Sequence, residues 1–388
     1  MNTLDGVRNK LENIEFLRII FIVCILIHHF ALFINAHFFH SLPTFNSLEF
    51  VNFRQVTKNG LHYCDCFFII SGFFLVYTLK ENFKFCDFIK NKIIRLYPLI
   101  PFVFVIYYIY SKFGFVEFTP YYDFTSLFLL NNIGITKNLG NNCHLWFVSA
   151  LFWASLLYAY IIKNYEKKNK DLFVLSAVFF CYAFLFYADS KHLGHHVKSI
   201  YFIFNPGLMR AIGGMGIGYL IANWYKNSAN SFFHTKNDNI LSKFIYTILE
   251  FYLLVSLLIY TMFKFNPEVT PLMLIIYFTL LFILFVFSKG YLSSFLNKIK
   301  FSFISKYVYS IYIVHLCVFI VYWKISTNIY YEFIPDNIPI FTIIYIIVCF
   351  IFGVITYHMI EKPIGKWMKN FLYNTKQEVK SATNNNPR

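Results

Sequence analysis

Residues 15–30 read EFLRIIFIVCILIHHF, an apolar run interrupted by four ionisable side chains, Glu15, Arg18, His28 and His29. The apolar character continues to about residue 35, enough for a helix across a bilayer, which takes roughly 20 residues. An ionisable group at mid-bilayer costs on the order of 2.5–3.5 kcal/mol on insertion scales, so each one kept there calls for a partner or a task. On an α-helix, Arg18 and His29 are separated by about 1100° of rotation. They therefore share one face to within about 20° and lie about 16 Å apart along the axis. Glu15 falls within about 40° of that face and stands at i,i+3 from Arg18, the spacing of an ion pair. His28 lies about 80° off it. This helix has one polar stripe, from a Glu/Arg pair at its start to the His29 imidazole near mid-membrane.

The rest of the chain reads the same way. Hydrophobic residues make up 58% and charged residues 14%, outside the usual balance of a soluble domain. The formal charge of +15 could suggest nucleic acid, but the Lys and Arg residues sit in the short gaps between apolar runs. That distribution argues against nucleic acid and for a polytopic membrane protein. A ruler of roughly 20 residues gives ten candidate spans, at about 15–35, 59–79, 95–112, 144–163, 171–188, 205–225, 243–263, 270–288, 303–324 and 338–360. With the N-terminus inside, the inner segments carry 25 Lys and Arg and the outer ones 8, with Arg210 within a span. This threefold bias predicts an all-α bundle of ten helices with both termini cytoplasmic.

No other fold signal competes. The eight cysteines make no CxxC pair, and Cys64-x-Cys66 diverges on a helix, so no metal is expected. The first apolar run is too long, and too interrupted by histidines, for a cleavable signal, and should stay as a membrane helix. The outer gaps at 36–58 and 113–143 have room for interfacial structure only. Residues 1–374 read as one membrane domain, and 375–388, rich in Asn and Lys, as a disordered cytoplasmic tail.

Several short motifs then line up in order. Arg18 and His29 enclose ten residues; Asp65-Cys-Phe-Phe-Ile-Ile-Ser71-Gly72-Phe73 opens the second span; Lys92-Ile-Ile-Arg95-Leu-Tyr97-Pro98 precedes the third. His144-Leu-Trp146-Phe opens the fourth, Ser310-Ile-Tyr312-Ile-Val-His315 lies in the ninth, and Glu361-Lys-Pro363 closes the tenth. Together these resemble acyltransferase family 3, integral membrane enzymes that O-acylate glycans and other extracytoplasmic acceptors. One departure is Lys92, where the family usually has Arg; lysine keeps the charge and loses bidentate phosphate geometry.

The resemblance implies an acyl-coenzyme A donor (acetyl-CoA being the commonest) on the cytoplasmic side, and an acceptor hydroxyl on a cell-surface polysaccharide or lipid-linked glycan. It also implies a stand-alone enzyme without a fused esterase-like domain, in a bacterial inner membrane. On that reading Arg18, Lys92 and Arg95 meet the donor phosphates at the cytoplasmic mouth, with Glu361 beside them. His29 is the reacting group, either as general base for the acceptor hydroxyl or as a transient acyl carrier. Asp65, His144, Trp146 and Arg210 fall near the outer mouth, where aromatic and hydrogen-bonding groups suit a sugar and Arg210 a lipid-linked phosphate. His315 lies mid-helix and could face the same cavity as His29.

Plainer readings stand beside these. Ser71 lacks the strand-turn-helix setting of a nucleophile elbow, and Ser71-Gly72, like Gly214-x-x-x-Gly218, suits close helix packing. Trp146 also suits an interfacial anchor, and His315 a hydrogen-bonded packing role. A transporter or a non-catalytic export subunit for a polysaccharide is the rival function. A transporter predicts matched, interrupted helices in two halves, and no such repeat is evident.

Overall fold

The computed structural model describes residues 11–41, 59–80, 82–116, 120–131, 144–188, 205–227, 239–262, 270–330 and 337–384. They form helices α1 (Glu12–Ser41), α2 (Tyr63–Thr78), α3 (Phe85–Leu96), α4 (Ile100–Lys112), α5 (Pro120–Leu127), α6 (Leu145–Asn164) and α7 (Lys167–Ala188). These are followed by α8 (Pro206–Asn227), α9 (Ile240–Met262), α10 (Thr270–Val286), α11 (Tyr291–Leu296), α12 (Ser302–Ser305), α13 (Val308–Tyr330), α14 (Ile338–Thr356) and α15 (Lys362–Asn384). No strand occurs among the described residues.

Each of the ten expected spans coincides with a helix. Among the described residues, eight helical stretches are long and apolar enough to cross a membrane. The other two are α10, which is shorter, and α8, which is Gly-rich and carries Arg210. Large apolar side chains such as Phe179, Ile240 and Met359 are about 70% exposed or more. Such surface would be an aggregation liability in water; facing lipid it needs no cover, because each helix satisfies its own backbone. The protein is a multi-pass integral membrane bundle.

Two boundaries differ from the sequence reading. The third span begins at Phe85 rather than 95, because the amphipathic α3 leads through a 3₁₀ turn (Tyr97–Leu99) directly into α4. Pro98 and Pro101 sit at the first positions of those elements, where a missing N–H costs least. The last span runs on through a π-helical turn at Tyr357–Glu361 into α15. The backbone of α15 is helical to Asn384, inside the stretch read as a tail; residues 385–388 lie outside the described residues. So do residues 42–58, 117–119 and 132–143 of the two long outer gaps.

The chain divides into two compact units. Unit 1 comprises Met1–Thr78, Val174–His195 and Ile212–Val308, and unit 2 comprises Leu79–Phe173, His196–Ala211 and Tyr309–Arg388. In unit 1, α1 packs on α2, α10, α11 and α12. There α2 and the later part of α8 cross at backbone contact. A Cβ on Gly72 would lie 2.6 Å from Met215 Cα, and one on Gly214 2.8 Å from Phe68 Cβ. This is the close approach that small residues permit between membrane helices. In unit 2, α3 packs on α6 and α15, and the Tyr97–Leu99 turn on the π-turn.

Candidate functional site

The start of α1 is tied to a segment almost 290 residues away. Asn13 donates its backbone N–H to Asn297 Oδ1 at 3.0 Å and its amide to the Phe285 carbonyl at 2.6 Å. Glu12 accepts from the Ser302 N–H at 2.7 Å and the Ser302 hydroxyl at 2.8 Å. Those bonds fix the helix start against α11 and α12, and they satisfy polar groups that would be costly to leave unpaired in a buried setting.

One turn further, Glu15 accepts at Oε2 from Arg18 Nη1, 2.6 Å away. The same oxygen accepts from the Ser305 hydroxyl. Arg18 and Glu15 are 19% and 16% exposed, so the guanidinium is neither sealed in nor loose. The i,i+3 spacing anticipated this pair. Ser305 has no local signal in the sequence.

From Arg18 the helix continues unbroken past His29. His29 is half-buried, whereas His28 is buried at 6%. The two rings are 5.4 Å apart. His28 lies against Gly60, where an added Cβ would come within 2.6 Å of the His28 Cβ. His28, off the polar stripe, is thus the more enclosed of the two.

Gly60 opens a 3₁₀ turn ending at His62, a residue the sequence reading passed over. His62 Nδ1 lies 3.0 Å from Asp65 Oδ2, with both residues buried. Asp65, in the first turn of α2, thus has an imidazole to hold. The i,i+3 spacing of His62 and Asp65 would have revealed the pair. Ser71 is half-buried on α2 beside Gly72, the glycine that meets Met215 of α8.

The remaining candidates belong to unit 2. Lys92 Nζ lies 3.2 Å from the Ser155 hydroxyl and 5.6 Å from the centroid of the Phe88 ring, so a helix–helix contact uses part of its charge. Arg95, one turn on, is exposed and in the electrostatic field of Glu361. Glu361 ends the π-turn and accepts from the Ser310 hydroxyl. The neighbouring Tyr309 hydroxyl donates to the Leu96 carbonyl at 2.5 Å. Rare π-turns recur at functional positions, and this one carries the acidic residue that the motif singled out.

A second group assembles around the start of α6. His144 Nε2 lies 2.9 Å from the Ile313 carbonyl, and the His144 and His315 ring centroids are 5.3 Å apart. The Tyr312 hydroxyl donates to the His144 carbonyl at 2.7 Å, and His315 Nδ1 lies 2.5 Å from the Tyr312 carbonyl. The Arg210 guanidinium carbon is 5.3 Å from the Trp146 ring centroid, a cation–π geometry. His144, Trp146, Arg210 and His315 are all buried. Unit 2 therefore brings together four of the residues chosen from sequence; Glu15, Arg18, His29, Asp65 and Ser71 belong to unit 1.

One family model matches nearly the whole of this helical chain. That model, of an acyltransferase domain, matches residues 11–358. The chain belongs to acyltransferase family 3. It is an integral membrane O-acyltransferase. No curated protein and no solved structure gives a significant match. The matched span of this acyltransferase contains every candidate residue except Glu361, which follows its end by three positions.

Proposed function

We propose that the enzyme moves an acetyl group from cytoplasmic acetyl-coenzyme A to a hydroxyl of a cell-surface polysaccharide or its lipid-linked precursor, in a bacterial cytoplasmic membrane, with both termini inside. The observation that carries this reading is the Glu15–Arg18 pair, steadied by Ser305, on the same unbroken helix as His29. A half-buried guanidinium with donors left over by its partners among the described residues suits a coenzyme A phosphate, for which planar bidentate contact is the strongest mode. Lys92 and Arg95 add positive charge for the same polyanion. The 25-to-8 bias of Lys and Arg supports placing all three at the cytoplasmic side.

His29 is the reacting residue in this proposal. As general base, it takes the proton of the acceptor hydroxyl while that oxygen attacks the thioester carbonyl; the C–S bond breaks and the proton passes to the departing thiolate. As acyl carrier, its nitrogen attacks the thioester carbonyl and the C–S bond breaks, the departing thiolate taking up the ring proton; the acceptor hydroxyl then takes the acetyl group from the ring nitrogen and returns its own proton to the imidazole. Enzyme given donor alone distinguishes the routes, since only the second releases a burst of free coenzyme A stoichiometric with enzyme when no acceptor is present.

Membranes containing the chain, incubated with acetyl-coenzyme A labelled in the acetyl group, should release free coenzyme A and carry label into glycan. His29→Ala should insert normally and transfer nothing. Near-normal glycan labelling by well-expressed His29→Ala protein would sink the assignment. Labelled substrate crossing the membrane unchanged would favour a transporter instead.

A further inference from the structure

Within unit 2, the starts of α6 and α8 carry two buried polar atoms of opposite kind whose positions are fixed. His144 is 1% exposed. Its Nε2 faces the Ile313 carbonyl oxygen at 2.9 Å, and a carbonyl only accepts, so Nε2 bears the hydrogen. A buried imidazolium would need a counter-charge, and His144 makes no ion pair among the described residues. The ring is therefore neutral, and Nδ1 is a lone-pair acceptor. No donor meets that atom among the described residues.

Asn205 is the complementary case. Its Oδ1 is occupied as the cap of α8, accepting from the Gly207 N–H at 2.9 Å and the Leu208 N–H at 3.3 Å. Its amide nitrogen is buried and meets no acceptor among the described residues. The contact of Arg210 with the Trp146 ring joins the starts of the two helices. Leaving a buried donor or acceptor unpaired costs about 1–3 kcal/mol, and such atoms are rare enough in folded proteins to need a reason.

We infer that the starts of α6 and α8 bind the acceptor through its hydroxyls, His144 Nδ1 taking a hydrogen bond from one and Asn205 Nδ2 giving one. The inference rests on the acyl-transfer reading and assigns the acceptor a place in it. The ligand class follows from the pairing. A hydroxyl both donates and accepts, and neighbouring hydroxyls on a sugar ring supply both kinds at fixed spacing. An ionised phosphate has no proton to give and would leave His144 Nδ1 unsatisfied, which separates this site from one for the coenzyme A phosphates. His144 and Asn205 are therefore specificity residues for the acceptor.

The test is kinetic, with membranes, acetyl-coenzyme A and the de-O-acetylated surface polysaccharide of the same cells as probe. Asn205→Asp keeps an oxygen for both cap bonds and replaces the amide donor by a carboxylate oxygen, whose charge the helix N-terminus favours; His144→Gln keeps a donor for the Ile313 carbonyl and displaces the acceptor atom. Each should raise the polysaccharide KM by about tenfold, with kcat and the acetyl-coenzyme A KM unchanged. Wild-type polysaccharide KM in Asn205→Asp would overturn the inference, and so would equal changes in the KM of both substrates. If His144→Gln fails to accumulate, Asn205→Asp decides alone, since its cap is intact. If the wild-type enzyme transfers no acetyl group to any glycan, the acyl-transfer proposal itself fails, a result separable from a displaced KM.

Discussion

The Glu15 carboxylate holds the Arg18 guanidinium at 2.6 Å, one turn along the same helix, while Ser305 donates to the same oxygen. The ion pair is local, but its anchor comes from the far end of unit 1. Arg18→Lys keeps the charge and gives up the planar fork, and should raise the acetyl-coenzyme A KM by about tenfold, the effect of one lost charge-assisted bond. Ser305→Ala leaves the pair intact and only loosens Glu15, so its rise should be about threefold or less. Initial rates of coenzyme A release against donor concentration test both; a larger effect from Ser305→Ala would contradict this ordering.

Arg95 and Glu361 carry opposite charges that attract each other in unit 2. If Arg95 serves the donor, Glu361 competes with phosphate for its field. Glu361→Gln should then lower the acetyl-coenzyme A KM severalfold, and Arg95→Ala should raise it. Because Arg95 is exposed, both shifts should narrow as salt rises and screens the interaction. A higher KM in Glu361→Gln would show instead that the carboxylate is needed to hold Arg95 in place.

The buried His62–Asp65 pair predicts a stability effect apart from catalysis. Asp65→Ala strands the imidazole and should cost about 1–3 kcal/mol, visible as a lower unfolding temperature in detergent. Asp65→Asn retains an acceptor oxygen and should cost less. In a double-mutant cycle with His62→Ala, the second substitution should add little to the first, since the pair is already broken. Additive losses would mean that the 3.0 Å contact carries no coupling.

Helix crossing in unit 1 can be probed at Gly218. A Cβ there would lie 2.5 Å from the Phe73 backbone nitrogen, an atom that cannot swing aside. Gly218→Val should therefore destabilise by about 1–3 kcal/mol or more and sharply reduce the protein recovered from membranes. Gly365→Ala meets only the Ile94 carbonyl at 3.6 Å and should be recovered at wild-type levels. Equal recovery of both variants would rule out a tight α2–α8 contact.

Local information in the chain was enough for much of this. Apolar length located the spans, and a 100° step put Arg18 and His29 on one face and Glu15 in reach of Arg18. Closure over long distances was not legible. Ser302 and Ser305 are ordinary serines until the fold lays them on α1, 290 residues back. The same is true of Glu250, buried on α9, which accepts from the Gly290 N–H at 2.9 Å and the Ser293 N–H at 3.1 Å. His28 looked idle because periodicity describes one helix and says nothing of Gly60 on another segment. The early start of α3 was missed for a different reason: its charged residues break an apolar run without breaking an amphipathic helix.

The π-turn at Tyr357–Glu361 has a consequence for how the last helix tolerates change in length. Such a turn amounts to an ordinary helical turn with one extra residue, so removing a single residue there can restore regular winding without unfolding anything. Because the residue removed is the surplus one, everything beyond would keep nearly the same facing. Tyr373 would stay in reach of Asn91, and the Leu372 carbonyl in reach of Lys90. A one-codon deletion at this point would thus spare the terminal helix its setting, whereas the same deletion in the regular turns of α14 would swing it by about 100°.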